Sequence, residues 1–500
     1  MKLDFGTAGM RGIVGDDENQ LNQAHVARVF DGYAKYLLAH VENARERGVV
    51  IGRDNRLRGK IFTNIAAKIL TSYGIKVYFN NQMLATPFIS FLTMKKNAAG
   101  AINVTASHNP KIYNGIKIYN QFGYQMLPNE VNLLKQYFLD YEIYLTYFNF
   151  KEIIKNDLVL DISAQDYEDY LNSIRKLNFS QTDLSNLKIV YSALHGTGYF
   201  YINKLFSKSG PIIYYEESEI IEDEHFGDLI NPNPEYKEAF KKTIILANQN
   251  SADLILITDP DSDRLGVAVK KDHDFVLLNG NEIAILICNY LLDYMHLNPN
   301  LNYGLIYSMV STSLPEAMAK TKGIKAYLCE TGFKWIGNLI KEFSKQDQLF
   351  FGFEESYGYL VDAHISRDKD AIQAFYLLVI IGAMARKNNQ SLLDLLANIY
   401  EKYGYLKTET LNFDLKSVEQ LKSVKAKFKA LNLENSKFID YNESGSSDMM
   451  AYRFNDSNSW IALRPSGTEP KYKIYLHIVD KDELSAKAKF ETIKKIFKDF

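Results

Sequence analysis

Cysteine is scarce, with only Cys288 and Cys329 among 500 residues. Two thiols cannot build a disulfide framework, so a secreted, bridge-stapled scaffold is excluded and a reducing compartment is expected. Cys288 falls in the apolar run NEIAILICNYLLDY, which reads as a buried helix where a thiol packs like a small hydrophobe. Long uncharged apolar runs are missing too; none reaches about 18 residues, so no membrane span is expected. The opening MKLDFGTAGMRG has neither a basic n-region nor an apolar h-region, which argues against an export signal and for a cytoplasmic protein. A surplus of charge is also lacking. Lys and Arg total 58 against 60 Asp and Glu, a net charge of -2, so nothing electrostatic favours a nucleic-acid or anionic-membrane partner. No short-period repeat and no low-complexity tract occurs. There is no GxSxG elbow, which excludes the α/β-hydrolase arrangement.

What is present is a soluble, globular composition, 46% hydrophobic and 24% charged, in a chain long enough for three or four domains. Short apolar runs alternate with longer amphipathic ones. GVVIGRD (48–54) predicts a strand, FTNIAAKILTSYG (62–74) a helix ending at Gly74, IKVYFN (75–80) a strand, and AAGAINVTASHNP (98–110) a strand then a loop. This is βαβ alternation, the signature of a layered α/β domain. The rhythm restarts at LKIVYSALHG (187–196) and again at NYGLIYSMV (302–310), after a polar helical stretch, AQDYEDYLNSIRKLN (164–178), that bridges the first two units. The last hundred residues change character: LKTETLNF, SWIALRPS and YKIYLHIV predict strands and a Lys-rich helix follows, an α+β pattern. The expected domains are 1–163, 164–277, 278–395 and 396–500.

Chemistry-bearing residues sit on the loops after these strands. Asp259, Asp261 and Asp263 alternate in TDPDSDR, directly after LILI. In extended backbone, alternation puts all three carboxylates on one side, and Pro260 opposes a helix there. Converging carboxylates repel unless a cation lies between them, and hard oxygen donors suit Mg²⁺. A calcium hand is excluded because its sixth and twelfth positions would be Arg264 and Lys270 rather than Gly and Glu. A solvated acidic turn fits the triplet equally well when it is read alone. TASHNPKIYNGIKIYN (105–120) places Ser107 beside His108 ahead of an Asn-Pro turn, with Lys117 in the next extended run. A loop serine after a strand suits nucleophilic or phosphoryl chemistry, and His108 or a desolvated Lys117 could exchange a proton. RPSGTEP (464–470) offers Arg464, Ser466, the Gly467 backbone and Thr468 to one anion; GTAGMRG (6–12) sets Arg11 among glycines; GFEES (352–356) supplies Glu354, Glu355 and Ser356 for sugar hydroxyls. Each is weak alone, since such segments are more often plain turns.

Together, TASHNP, DPDSDR, GFEES and RPSGTEP, in that order and at domain-scale spacing, resemble the α-D-phosphohexomutase family of phosphoglucomutases and phosphomannomutases. FGTAGMRG, ALHGTG (193–198), TGFKWIG (331–337) and SRDKDA (366–371) add to the likeness, which runs from residue 5 to about residue 476. The wording of GTAGMRG and TGFKWIG is most similar to bacterial phosphoglucomutases akin to the animal phosphoglucomutase/phosphopentomutase branch. The resemblance implies three similar mixed α/β domains and a smaller C-terminal α+β domain around a central cleft. It implies a phosphorylated Ser107 whose phosphate, with Asp259, Asp261 and Asp263, holds one Mg²⁺. It places Arg264 near that phosphate, gives His108, Lys117 and Arg11 proton transfer and charge, and sets Glu354, Ser356, Lys334 and Arg367 around the sugar. Arg464, Ser466, Gly467 and Thr468 would hold the non-reacting phosphate. The activity implied is exchange of hexose 1- and 6-phosphates through a hexose 1,6-bisphosphate, in a monomer or homodimer. Two glutamates in GFEES resemble the glucose-type loop, with mannose or pentose phosphates as alternatives. A haloacid-dehalogenase-like phosphatase would use Asp259-Pro-Asp261 but has no use for Ser107 or RPSGTEP, and a non-catalytic sugar-phosphate sensor would not need every reactive residue to be present.

Overall fold

The computed structural model describes all residues except 1, 2, 4, 7, 8, 148–155, 208, 416, 443–446, 456, 466–470 and 499. Its first sheet contains β1 (Met10–Ile13), β2 (Val49–Arg53), β3 (Val77–Tyr78), β4 (Gly100–Val104), β5 (Tyr113–Tyr119) and β6 (Val159–Leu160), in the order β1-β5-β4-β2-β3-β6. Strands β4, β2, β3 and β6 run parallel, and β5 and β1 are added antiparallel. The second sheet, of β7 (Lys188–Ser192), β8 (Ile212–Tyr215), β9 (Leu254–Thr258), β10 (Leu265–Lys271) and β11 (Asp274–Leu278), has the order β11-β10-β9-β7-β8. The third comprises β12 (Asn302–Ser308), β13 (Lys325–Cys329), β14 (Asp347–Glu354) and β15 (Gly358–Leu360), ordered β13-β12-β14-β15. The strand expected over 75–80 shrinks to two residues, because only Val77 and Tyr78 find partners on both sides.

The three sheets repeat one device. In each, the last parallel strand leads through a tight loop into an antiparallel neighbour: β4 into β5, β9 into β10, β14 into β15. Those loops are TASHNP, DPDSDR and EESY, so the same point of the topology carries the chemistry three times. Each also holds one non-glycine residue in left-handed backbone, Ser107 (φ 51°), Ser262 (φ 56°) and Tyr357 (φ 66°). An L-residue there costs about 1–2 kcal/mol, strain that surrounding structure must offset.

Parallel strands are apolar on both faces because helices cover both; β2, β4 and β9 are buried at every position. The helix Ala371–Lys387 is buried along nearly its whole length. It packs against β9, β10 and β15 and against the helices Ala164–Arg175, Gly198–Leu205 and Gly280–Tyr294. One continuous core therefore joins the second and third units and reaches Phe88 and Leu92 of the first.

The C-terminal unit is an antiparallel sheet of β16 (Tyr405–Asp414), β17 (Ser436–Asp440), β18 (Met450–Phe454), β19 (Trp460–Pro465) and β20 (Lys471–Asp480), in the order β16-β20-β19-β18-β17. The helices Val418–Lys429 and Glu483–Ile496 cover one face. The helix Leu392–Tyr403 runs through residue 395, where the third domain was expected to end, and it packs on Gly280–Tyr294 of that domain. The helix stops at Gly404, whose φ of +106° few side chains tolerate; we place the junction there.

Candidate active site

A cleft of about 790 Å³ lies between the four units and takes lining residues from all of them. Its floor is where the first and second loops meet. Ser107 is 2% exposed, and its Oγ donates to Asp259 Oδ2 at 2.9 Å. His108 Nδ1 lies 3.1 Å from the same Oγ. Arg11, on β1 opposite Gly115 of β5, donates from Nη1 to Asn109 Oδ1 at 3.0 Å.

Asp259, Asp261 and Asp263 are buried, and one oxygen from each lies within 4.8 Å of the others. They do not converge by alternation along a strand, as the sequence suggests. The backbone turns sharply, with Ser262 N–H bonded to Asp259 O at 2.9 Å and Ser262 in the left-handed region. Asp259 Oδ1 accepts the N–H groups of Asp263 (3.0 Å) and Arg264 (2.9 Å), closing the turn on its own first carboxylate.

Lys117 Nζ bonds Asp261 Oδ2 at 2.6 Å and Asp263 Oδ2 at 2.9 Å, and Lys369 Nζ lies 3.3 Å from Asp263 Oδ2. Three carboxylates thus face two ammonium groups. Burial pushes Asp259 well above the ordinary carboxylate range, and Asp263 and Asp261 add to the rise. Burial presses Asp263 the same way, but Lys117 and Lys369 outweigh it and hold it low. Burial would lower Lys117, but the neighbouring Asp261 and Asp263 carboxylates outweigh it and raise it above the ordinary lysine value. His108 is driven well below its usual value by burial and by the guanidinium groups of Arg264 and Arg11.

The donor set fits a hard divalent cation. All the atoms offered are oxygens, and the second oxygens Asp261 Oδ1 and Asp263 Oδ1 are buried with no hydrogen-bond partner among the described residues. Buried, unpartnered carboxylate oxygens are costly unless something neutralises them.

Sequence-predicted residues on the cleft are Arg11, Ser107, His108, Lys117, Asp263, Arg264, Lys334, Glu354, Ser356 and Arg464. Arg264 ion-pairs with Glu235 at its rim. Glu354 ends β14, accepts the Gly332 N–H at 2.6 Å, and is raised to about 7 by burial, with Lys369 opposing. Glu355 is engaged by Ser308 and Ser311, each at 3.1 Å. Arg464 stands across from Lys473 on β20. Arg367 is not among the lining residues: its backbone N–H is tied to Ser90 Oγ at 2.9 Å, and burial lowers its guanidinium from the usual value. Lys369, two residues on, reaches the cleft instead, and sequence reasoning passed over it although it lies in the same SRDKDA segment. Ser466, Gly467 and Thr468 lie outside the described residues.

The ALHGTG segment, which carried likeness but no role, supports the acidic turn from below. Thr197 N–H donates to Pro260 O at 2.8 Å, and Thr197 Oγ1 meets Ser262 Oγ at 2.7 Å. From the first unit, Thr86 Oγ1 donates to Asp261 Oδ2 at 2.6 Å.

Residues 2–144, 166–272 and 279–403 match, in that order, the alpha/beta/alpha domains I, II and III of phosphoglucomutase/phosphomannomutase. The chain is 34% identical to the phosphoglucomutase of Staphylococcus saprophyticus subsp. saprophyticus, covering 97% of this chain and 92% of the relative. It is 33% identical to the phosphomannomutase of Mycoplasmoides pirum, covering 95% and 88%. The crystal structure of the exocytosis-sensitive phosphoprotein parafusin, a phosphoglucomutase from Paramecium, shares the fold at a TM-score of 0.72 and 20% identity, over 99% of this chain and 95% of that one.

Proposed function

Since this chain belongs to the phosphoglucomutase/phosphomannomutase family, we propose that it is a phosphohexomutase interconverting glucose 1-phosphate and glucose 6-phosphate through a phosphorylated Ser107. The observation that supports this most is Ser107 Oγ at 2.9 Å from Asp259 of a buried aspartate triplet, in a polar cleft that Arg464 of the C-terminal unit also lines. A phosphatase needs only the near half of that arrangement. A mutase needs both ends, because its intermediate carries two phosphates.

Phosphoryl transfer calls mainly for positioning and charge stabilisation. Asp259, Asp261 and Asp263, with the Ser107 phosphate, would hold one Mg²⁺, which offsets phosphate charge and draws electron density from phosphorus. The free sugar hydroxyl attacks phosphorus; its oxygen–phosphorus bond forms as the Ser107 Oγ–phosphorus bond breaks. The hydroxyl proton passes to a neighbouring group, and His108 Nδ1, 3.1 Å from Oγ, is the nearest nitrogen base. Lys117 and Arg11 steady the charge that develops on the transferring oxygens. Glu354 and Ser356 orient sugar hydroxyls, Lys334 and Lys369 line the sugar site, and Arg464 with the SGT backbone of RPSGTEP holds the distant phosphate. The resulting hexose 1,6-bisphosphate turns over within the cleft. Its other phosphate then faces Ser107, and transfer back to Oγ releases the isomer. Water must be kept out meanwhile, since hydrolysis competes.

The glucose preference rests on the paired glutamates of GFEES; the phosphomannomutase relative keeps mannose phosphates as the second reading. The test is a panel of glucose 1-, mannose 1-, N-acetylglucosamine 1- and ribose 1-phosphate with Mg²⁺ and a trace of hexose 1,6-bisphosphate. Isomer formation without inorganic phosphate, fastest on glucose 1-phosphate, is expected. Release of inorganic phosphate alone would overturn the mutase reading.

A further inference from the structure

Arg56 lies outside the serine, acidic, sugar and phosphate loops and does not line the cleft. It follows β2 in the loop RDNRLRG and is 1% exposed. Its guanidinium is spent on one stretch of backbone. Nη2 donates to Ser107 O and to Asn109 O, both at 2.6 Å. Nη1 donates to Pro110 O at 3.0 Å and to Tyr113 O at 2.8 Å. The Asp54 carboxylate ion-pairs with Nε at 3.3 Å and accepts the Arg56 N–H at 3.0 Å. Above the guanidinium lies the ring of Phe226, from the second unit, at 5.1 Å.

The other side of Ser107 is tied to the same carboxylate. Thr105 Oγ1 donates to Asp54 Oδ2 at 2.6 Å and accepts the Ser107 N–H at 2.7 Å. The peptide groups before and after Ser107 therefore both lead back to the Asp54–Arg56 pair, one through Thr105 and one directly. Between them stands the one loop residue forced into left-handed backbone, at φ 51°.

We infer that Arg56, backed by Asp54, is a positioning residue for phosphoryl transfer, which holds Ser107 in this strained conformation and so keeps Oγ aimed at the aspartate triplet. The inference rests on the mutase reading of Ser107. An arginine is required by the geometry: four carbonyls spread along residues 107–113 need a planar fork of donors, and a lysine concentrates its three donors at one point. Relaxed, the serine loop would leave Oγ displaced, and a shift of about 1 Å in a reacting group costs about 100-fold in rate.

The experiment compares Arg56→Lys and Arg56→Ala with the wild type, in steady-state mutase kinetics well below each protein's melting temperature. Intact-mass measurement of Ser107 phosphorylation by glucose 1,6-bisphosphate is run alongside. Arg56→Lys should lose about 100-fold in kcat with KM changed less than about two-fold, and phosphorylation of Ser107 should slow in parallel. Arg56→Ala should fall further, and millimolar guanidinium should restore about ten-fold while methylammonium at the same concentration does not. A residue that merely supports the fold would lower the melting temperature without this split or this rescue. Wild-type kcat in Arg56→Lys, or a kcat loss in both variants that follows only the folded fraction, would overturn the inference. Absence of mutase activity in the wild type would instead overturn the reading on which it rests.

Discussion

At the scale of the residue, the site is an arrangement of charge around one hydroxyl. Ser107 Oγ has a carboxylate oxygen at 2.9 Å and an imidazole nitrogen at 3.1 Å, and removing it takes away the group proposed to carry the phosphate. Ser107→Ala should retain the fold, by circular dichroism and melting temperature, and lose at least about a thousand-fold in mutase turnover. Asp261 tests the metal separately. Its Oδ1 is buried with no hydrogen-bond partner among the described residues, while Oδ2 is bonded by Lys117 and Thr86. Asp261→Asn should raise the Mg²⁺ concentration for half-maximal activity by an order of magnitude or more. A titration superimposable on the wild type would place the cation elsewhere. The residues that meet here were legible in sequence because loops after strands carry chemistry in α/β sheets. The way they meet was not: Ser262 in left-handed backbone leaves no trace in a Ser codon, so an extended run and a tight turn both suit DPDSDR. Lys369 and Arg56 were hidden for a different reason. Arg56 belongs to no loop that looks reactive and Lys369 sits in a segment whose likeness pointed to Arg367, so only folding reveals which cation reaches the carboxylates and which one grips the serine loop.

At the scale of the element, three strand–loop–strand corners present three loops to one cleft, and each corner depends on a neighbour packed beneath it. The restarting βαβ rhythm in the sequence exposed the repeat, but not that the reactive loops occupy one equivalent point, because the antiparallel strands β5, β10 and β15 are buried over most of their length like their parallel neighbours. ALHGTG illustrates what a motif can encode besides contact with substrate. Gly196 lies so close to the acidic turn that a Cβ there would meet Pro260 Cα and O at 2.3 Å. Neither is the end of a flexible side chain, so the turn itself would have to move. Gly196→Ala should cost about 1–3 kcal/mol of stability through overpacking. It should also weaken the Mg²⁺ response, although residue 196 does not line the cleft. A melting temperature and Mg²⁺ titration equal to the wild type would show that the turn can shift freely.

At the scale of the whole molecule, the C-terminal sheet closes the cleft while resting on a small apolar seam. Met309 and Val310, just beyond β12, pack against Met449, Ala451, Trp460, Ala462 and Tyr475. Composition and strand pattern set this unit apart from the other three, and its separate core agrees with that reading; the seam itself could not be read, since it joins residues more than a hundred positions apart. His477 lies in it, 1% exposed, stacked on Trp460 with ring centroids 5.0 Å apart and with Nε2 3.5 Å from Ser313 Oγ of the third unit. Burial, with Arg453 adding to it, lowers His477 to about 3. The unfolded chain binds its proton near pH 6.5 and the folded chain does not, so between pH 6.5 and about 3 the unfolded state holds more protons and stability falls with pH. At pH 5 this amounts to about 2 kcal/mol. Parting the seam hydrates the imidazole in the same way, so acid should favour an open cleft before it favours unfolding. The wild type should therefore show KM for the sugar phosphate rising from pH 7 to pH 5, beyond the change that substrate ionisation causes. A His477→Gln variant, which keeps a polar side chain and cannot titrate, should flatten both that rise and the loss of melting temperature. If wild type and variant share one pH profile in both measurements, His477 is not what couples acid to the seam, and the cleft is held shut by its apolar contacts alone.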